Sequence, residues 1–310
     1  MPATITTEER GRVLVATLAN PPHGLMDRAM VAALSDVVAR AERDPDVGGV
    51  VLTGAHPERF LAHYDVAELL AGAEAGPAVS AAAAGAALRA VGGLRRVPRA
   101  EEVLARTPAA GLVELERFHE LFLRMGRCGA VFVAALNGSA MGGGCELALA
   151  CDVRLAARGE HRIGQPEILF GFPPGGGGTQ RLARLLGSAQ ALRLILDGGP
   201  LDPDEAAELG VVDRVVDPGA LLDQAVAEAA RLGARTKAAV AACKRAVYEG
   251  GSMALADGLR LERAAFMSTL TSPEAVAAMR AYVEATERTG DLPGYDPAAL
   301  DAALERGRFA

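Results

Sequence analysis

The sequence predicts an α/β fold in which helices cover at least one face of a sheet. Residues 13–18 and 48–53 are short apolar runs rich in β-branched side chains, which is typical of buried strands. Between them, residues 27–43 carry apolar side chains at helical spacing. A strand, a helix and a second strand within about forty residues form the βαβ pattern, in which the helix packs against the sheet.

Local signals define the other elements. Asp27 is a candidate N-cap of the first helix, and Asp44 followed by Pro45 is expected to end it. A proline at the first helical position predicts helix starts after Asp202 and Ser272, and helical patterns dominate from Leu201 onward. The other predicted elements are the amphipathic helix 112–125, the strands 131–136 and 153–156, the turn and helix 142–150, and the helix 179–186.

Residues 67–111 differ from the rest of the chain in composition. We expect helices joined by loose turns, or a partly mobile segment, because the stretch is rich in alanine and interrupted by glycine. It contains Gly72, Gly76, Gly85, Gly92 and Gly93 and a basic cluster of Arg95, Arg96 and Arg99.

Charge and hydropathy exclude two classes of protein. The 310 residues include 32 basic and 39 acidic side chains, which gives a net charge of −7. This balance argues against a dedicated nucleic-acid-binding protein, because such proteins present a basic face. No run of about 18 apolar residues is free of polar breaks, so we expect no membrane span.

The cysteines and histidines predict neither a metal site nor a disulfide framework. The four cysteines and five histidines form no Cys-x-x-Cys pair and no other spacing typical of metal ligands. The first residues lack the basic flank and apolar run of a secretory signal. We therefore expect a reduced, cytoplasmic setting.

Residues 137–152 (NGSAMGGGCELALACD) form the first segment that could carry chemistry. Three glycines at 142–144 follow a predicted buried strand and open a helix, where free N–H groups and the helix dipole favour an anion. Glu146 lies in the first helical turn among apolar residues, where burial would raise its pKa toward the range used in proton transfer. On these residues alone, a tight packing turn with a first-turn acid is the simpler interpretation.

Residues 164–182 (GQPEILFGFPPGGGGTQRL) form the second segment. Glu167 stands between a proline and an apolar run, which is an unusual position for a carboxylate without a function. The glycines at 175–178 resemble a phosphate-binding loop, but neither the Walker GK[ST] nor the GxGxxG spacing is present. A surface acid followed by a flexible turn is the alternative.

Residues 50–69 (VVLTGAHPERFLAHYDVAEL) form the third segment. The predicted strand ends at Gly54, and α/β folds place ligands in loops at the carboxyl ends of strands. His63 and Asp65 in this loop could act as a base and its partner, although a packed or solvated histidine is the more common case.

Taken in order, these segments resemble the crotonase superfamily of enoyl-CoA hydratases, isomerases and their relatives. The matching stretches are 50–60, 134–152, 164–182 and 201–216, with a weaker match over 244–284. The resemblance implies a spiral of β-β-α units over residues 1–200, within which 67–111 is insertion-like. It also implies a C-terminal helical region over 201–310 that assembles a homotrimer or a dimer of trimers.

The resemblance also implies an enzyme with a specific chemistry. Members bind an acyl thioester of coenzyme A and hold its carbonyl oxygen with two backbone N–H groups, which correspond here to Tyr64 and Gly143. The catalytic carboxylates of the hydratases correspond to Glu146 and Glu167. Because both are present, the expected reaction is hydration of a 2-enoyl-CoA to a 3-hydroxyacyl-CoA, with Glu146 activating water and Glu167 protonating C2.

The substrate pocket is expected to draw on the same loops. No metal and no separate cofactor is implied, since CoA enters as part of the substrate. The residues that the resemblance assigns to substrate or CoA contact are Gly24, Leu25, Arg59, Ala62, His63, Asp65, Gly142 and Gly171.

Two departures from the family pattern keep other reactions open. The usual oxyanion loop A/S-G-A-D reads AHYD at 62–65, and the pattern FLEKR, whose lysine holds CoA, reads YVEAT at 282–286. Arginines such as Arg59 or those at 95–99 would have to replace that lysine. The alternatives are another crotonase-type reaction, either isomerisation or C–C bond hydrolysis, and a non-catalytic acyl-CoA-binding subunit.

Overall fold

A computed structural model describes residues 3–76, 78–94, 103–104, 106–107 and 109–309 of the chain. The α/β class predicted from the sequence is confirmed. The basic cluster at Arg95, Arg96 and Arg99 lies outside the described residues. The strands within them are β1 (Thr4–Arg10), β2 (Val13–Ala19), β3 (Gly49–Gly54), β4 (Arg59–Leu61), β5 (Val131–Leu136), β6 (Ser139–Met141), β7 (Val153–Ala157), β8 (Ile163–Gly164) and β9 (Arg214–Val216).

These strands form two sheets. The larger sheet has the order β1-β2-β3-β5-β7-β9, and the smaller sheet has the order β4-β6-β8. β1 pairs antiparallel with β2, whereas all the later neighbours pair in parallel. Consecutive strands alternate between the sheets: β3, β5 and β7 join the larger one, and the strand after each joins the smaller one. The chain therefore winds as the predicted spiral.

Helices surround the sheets and continue to the C-terminal end of the described chain. The predicted cap Asp27 and the predicted helix starts after Asp202 and Ser272 are confirmed, because each of these residues accepts a hydrogen bond from a first-turn N–H. The helices are α1 (Arg28–Arg43), α2 (Val66–Ala75), α3 (Ala81–Leu94), α4 (Ala110–Arg127), α5 (Gly143–Ala150), α6 (Gly178–Leu186), α7 (Ser188–Asp197), α8 (Pro203–Glu208), α9 (Leu221–Gly233), α10 (Lys237–Tyr248), α11 (Leu255–Leu270), α12 (Pro273–Thr289) and α13 (Pro297–Arg306).

Apolar layers cover both faces of the larger sheet. Alternate residues of β2, β3 and β5 join one layer with α1 and α4, as Leu14, Leu52 and Phe132 do. The intervening residues, such as Val51 and Val133, pack on the other face against α9. Because both faces are covered, these strands are apolar along nearly their whole length.

Some elements differ from the sequence expectation or were absent from it. The described part of 67–111 includes most of α2 and all of α3, which agrees with the helices expected there. β1 was not predicted, because its side chains are polar and mostly exposed at the edge of the sheet. β4, β6, β8 and β9 were also missed, since strands of two or three residues are too short to show a period.

Candidate active site

The loops that follow β2 and β4 are hydrogen-bonded to each other. Ala62 N donates to Gly24 O at 2.6 Å, Met26 N donates to His63 O at 3.1 Å, and Asp65 N donates to Met26 O at 2.7 Å. Five of the predicted substrate-contact residues therefore lie in one pair of joined loops: Gly24, Leu25, Ala62, His63 and Asp65.

This pairing leaves the Tyr64 N–H pointing away from the loop after β2. In the parallel bridge between Met26 and Tyr64, Met26 bonds to the residues on either side of Tyr64. A Cβ built on Gly143 would lie 3.3 Å from Tyr64 N. Gly143 is the first residue of α5, so its N–H has no acceptor within that helix. The two residues predicted as oxyanion donors, Tyr64 and Gly143, thus have their backbones close together in space.

The turn before α5 makes close approaches that require glycine. Gly142 has a φ of 50°, and a Cβ there would lie 2.9 Å from Glu167 Oε1 and 3.0 Å from the His63 Cβ. A Cβ on Gly144 would overlap the carbonyl oxygen of Leu61. The turn therefore brings the Glu167 carboxylate, His63 and the start of α5 into one cluster.

Glu146 is buried, with only 2% of its surface exposed. Its Oε1 accepts hydrogen bonds from the N–H groups of Gly176 at 2.7 Å and Gly178 at 2.8 Å. Burial raises the pKa of Glu146, while these two donors and the charges of Arg181 and His119 act in the opposite direction. The glycine-rich loop thus supports the ionised form of a carboxylate that water hardly reaches.

Glu167 is the half-buried partner of Glu146. It begins the short 3-10 turn Glu167–Phe170. Burial raises the pKa of Glu167 to about 7, its own backbone N–H opposes this, and the negative charge of Glu146 adds to the increase. The two carboxylates therefore interact, and Glu167 can exchange a proton near neutral pH.

Gln165 is a buried polar residue for which the sequence predicted no role. With its amide nitrogen facing the carboxylate, Gln165 donates to both oxygens of Glu167, at 3.1 and 3.0 Å. These bonds favour ionised Glu167 and oppose the effect of burial on its pKa. A Cβ on Gly178 would lie 2.8 Å from the Gln165 amide, so Gln165 stands between Glu167 and the loop that holds Glu146. Its place just before a Pro-Glu pair was the one available signal.

Comparison with known proteins identifies the family. A model of the enoyl-CoA hydratase/isomerase family matches residues 100–289, more than half of the chain. The chain belongs to this family. A probable mitochondrial enoyl-CoA hydratase of Dictyostelium discoideum is 33% identical over 284 residues, which cover 91% of this chain and 88% of that protein. A probable enoyl-CoA hydratase of Mycobacterium leprae is 34% identical over 287 residues, which cover 91% and 95%.

Solved structures share the fold of this family member. Enoyl-CoA hydratase subunit I of Geobacillus kaustophilus superposes with a TM-score of 0.71 at 30% identity, covering 91% of this chain and 95% of that one. DspI of Pseudomonas aeruginosa gives a TM-score of 0.71 at 29% identity, covering 91% and 94%. These similarities confirm the crotonase-type spiral and, with the named relatives, an enzyme of the enoyl-CoA hydratase type, a hydro-lyase.

In this hydratase family member, the unusual tyrosine of the predicted oxyanion loop has defined partners. The Tyr64 ring meets the Phe118 ring edge-on with centroids 5.7 Å apart. Its hydroxyl donates to Glu68 Oε2 at 3.2 Å. Burial, together with the negative charge of Glu68, raises the pKa of Tyr64. The ring is therefore fixed as a neutral wall beside the loop.

His63 and Asp65 each have a partner other than one another. His63 Nδ1 lies 2.8 Å from Tyr64 O, and Nδ1 is the donor because a carbonyl oxygen only accepts. Asp65 caps α2 by accepting from Ala67 N at 2.8 Å. The suggested base and partner are thus not hydrogen-bonded to each other, and Asp65 serves the helix.

Two other predicted contact residues occupy distinct places. Arg59 Nη1 lies 3.2 Å from His23 O and 3.1 Å from His56 Nε2. Gly171 ends the turn that Glu167 begins, with a φ of 88°. Their roles in binding substrate stay predictions.

A cavity of about 900 Å³ adjoins the outer side of the glycine-rich loop. Neither Glu146 nor Glu167 is among its lining residues, which include His119, Phe122, Gly176, Gly177, Arg181 and Tyr248.

Within the described ranges, no group of His, Cys, Asp or Glu side chains is arranged to hold a metal ion. None of the helices described is long and apolar enough to cross a bilayer.

Proposed function

We propose that this enzyme adds water across the double bond of a 2-enoyl-CoA thioester and forms a 3-hydroxyacyl-CoA. The observation that carries the proposal is the pair Glu146 and Glu167, whose pKa values are both raised by burial. The turn before α5 also brings the backbone of Gly143 close to Tyr64 N. Hydration needs both features: an acid–base pair for the water and C2, and donors for the charge that develops on the carbonyl oxygen.

The N–H groups of Tyr64 and Gly143 are the proposed oxyanion donors. When water attacks C3, negative charge moves to the thioester oxygen and an enolate forms. Donors that point at this oxygen from a sheltered helix start stabilise the enolate more than the neutral carbonyl, which lowers the barrier. The short distance of 3.3 Å between Tyr64 N and a Cβ built on Gly143 supports this role.

Glu146 is the proposed base and Glu167 the proposed acid. Glu146 Oε1 is held by two N–H groups, which favours the anion. Glu146 accepts a proton from the water while the water oxygen forms a bond to C3. Glu167 gives a proton to C2. Proton passage from Glu146 to Glu167 then restores the pair. A pKa of about 7 lets Glu167 carry that proton in a large share of molecules at neutral pH.

The remaining predicted residues are proposed to hold the substrate. The joined loops with Gly24, Leu25, Ala62, His63 and Asp65 would line the thioester end, beside Gly142 and Gly171. The Arg59 guanidinium would serve the CoA phosphates, since arginine binds phosphate oxygens well. CoA arrives with the substrate, so no separate cofactor is proposed.

We also propose a homotrimer or a dimer of trimers in a cytoplasmic setting. α11 and α12 expose large apolar side chains, which is typical of surfaces that another protein covers. Leu255 is 79% exposed, and the other exposed side chains on these helices are Leu259, Phe266, Met267, Val276, Met279 and Val283.

A spectrophotometric assay tests the proposed reaction. Loss of the enoyl-thioester absorbance is followed with acyl chains of several lengths, and the product is identified by mass spectrometry. Turnover to a 3-hydroxyacyl-CoA supports the proposal. A product with a shifted double bond or a cleaved C–C bond, or tight binding without turnover, would favour one of the alternatives instead.

A further inference from the structure

Two side chains that the proposed mechanism does not use hold the glycine-rich loop from the cavity side. His119 of α4 places Nε2 2.5 Å from Gly175 O. Because a carbonyl oxygen only accepts, Nε2 carries a hydrogen and donates it. Arg181 of α6 donates from Nη1 to Gly176 O at 3.1 Å. Two consecutive carbonyl groups of the loop are therefore held by side chains from two different helices.

The bond from His119 acts on the same peptide group that supports Glu146. Gly175 O and Gly176 N belong to one planar unit, so a donor at the oxygen fixes the direction of the N–H. That N–H donates to Glu146 Oε1 at 2.7 Å. A hydrogen bond at the carbonyl also polarises the peptide and strengthens the bond that its N–H makes.

We propose that His119 is a positioning residue, which holds the catalytic carboxylate of Glu146 through the Gly175–Gly176 peptide. Glycines have no side chain to restrict their backbone, so this peptide needs an external contact to stay in one orientation. Rotation of the peptide would turn its N–H away from Glu146. Arg181 secures the following peptide, and the Arg181 guanidinium is itself held 5.4 Å above the Phe122 ring.

The catalytic consequence rests on the proposed function, whereas the loop contact does not. Loss of the His119 donor frees the loop, and Glu146 then spends less time in the geometry that activates water. Because Glu146 acts on water rather than on the CoA moiety, we expect turnover to fall while substrate affinity is retained.

Three variants test this role. His119→Gln keeps an N–H donor near the position of Nε2, whereas His119→Leu has a similar size and no donor. Leu123→Gln is the matched control, since Leu123 is exposed on the same helix and lines the cavity. We measure kcat and KM with an enoyl-CoA, thermal unfolding, and hydrogen–deuterium exchange of a peptide spanning 173–182 without substrate.

We expect His119→Leu to lower kcat by about tenfold or more with KM within about twofold, as for a misplaced catalytic group. Its loop should exchange roughly fivefold faster. His119→Gln should stay within about threefold of the wild type in kcat, and Leu123→Gln should match the wild type.

Three results would overturn the role of His119. These are unchanged loop exchange in His119→Leu, faster exchange with unchanged kcat, and an equal loss of kcat in His119→Gln and His119→Leu. A wild-type protein that turns over no enoyl-CoA would contradict the proposed function. The hydrogen–deuterium exchange of the His119→Leu variant would then test, without any activity measurement, whether His119 holds the loop.

Discussion

The Oε1 atom of Glu146 accepts a 2.7 Å hydrogen bond from the N–H of Gly176, which lies thirty positions further along the chain. This bond, with its neighbour from Gly178, gives a buried carboxylate the support that water would otherwise supply. Glu167 is less buried and is supported by the Gln165 amide instead. The two glutamates therefore have different surroundings, and the proposed division into base and acid rests on the pKa of about 7 that burial and the charge of Glu146 give Glu167.

The pH dependence of kcat/KM should follow the two carboxyl groups. Glu167 is the proposed proton donor, and its pKa is raised to about 7, so it is protonated below this pH and loses its proton above it. Activity should therefore fall as the pH rises through about 7, and it should fall again in acid as Glu146 becomes protonated. The Glu167→Gln variant should lack the alkaline decrease, and an alkaline decrease that persists in this variant would assign it to another group.

Gly142→Ala should damage both the fold and the reaction. The residue has a φ of 50°, and the new Cβ would lie 2.9 Å from Glu167 Oε1. Gly187→Ala is the matched control, because Gly187 has a φ of 79° and no atom within 4 Å of the new Cβ. Both variants should lose about 1 kcal/mol or more of stability. Only Gly142→Ala should lose about a hundredfold in kcat. Equal kcat values for Gly142→Ala and Gly187→Ala, measured in buffer without denaturant, would contradict this.

Two substitutions of Tyr64 separate its N–H from its ring. Tyr64→Pro removes the backbone donor and should leave almost no turnover. Tyr64→Ala keeps the donor and removes the ring beside Phe118, so it should change the preferred acyl length more than the best kcat. Assays across acyl lengths, with circular dichroism to check the fold, measure both effects. A folded Tyr64→Pro variant with normal kcat would rule out this N–H as an oxyanion donor.

The neighbouring histidine provides the control for the same loop. His63→Ala should keep kcat within about tenfold of the wild type, because in the proposed mechanism the glutamate pair supplies both the acid and the base. A loss as large as that of Glu167→Gln would instead favour a reaction in which His63 takes the proton.

The assembly should depend on the C-terminal helices. Light scattering at micromolar concentration should give the mass of a trimer or a hexamer. Phe266→Glu, which places a charge on the exposed apolar face of α11, should shift the protein to smaller species, because burial of an unpaired charge is costly. Leu192→Glu, an exposed position on α7, is the control. A stable wild-type monomer would contradict the proposal.

Much of the fold could be predicted from the sequence because its signals are local. The strand at 131–136 is apolar throughout, and Asp27 stands where a helix must be capped. Glu146 and Glu167 stood out because each is a carboxylate in an apolar or glycine-rich context. In these cases the residues that indicate a structural or functional role lie next to the residue concerned in the sequence.

The missed features depend on contacts between distant segments. The role of Gln165 depends on its contact with Gly178 and on the orientation of its amide toward Glu167. In the sequence, His119 is simply a polar residue on an amphipathic helix. Its hydrogen bond to Gly175 O joins residues 56 positions apart. The short strands of the smaller sheet exist only because the spiral brings their backbones together. No periodicity in the sequence reports such pairings.

The joint role of the two carboxylates is tested most directly by a double-mutant cycle on Glu146 and Glu167. Glu146→Gln, Glu167→Gln and the double variant are assayed for loss of enoyl-thioester absorbance at saturating substrate. Each single variant should lose about a hundredfold or more in kcat. The double variant should lose little more than the worse single variant, because in the proposed mechanism both groups act on one water molecule. Near-normal kcat in either single variant, with the fold intact, would contradict hydration by this glutamate pair.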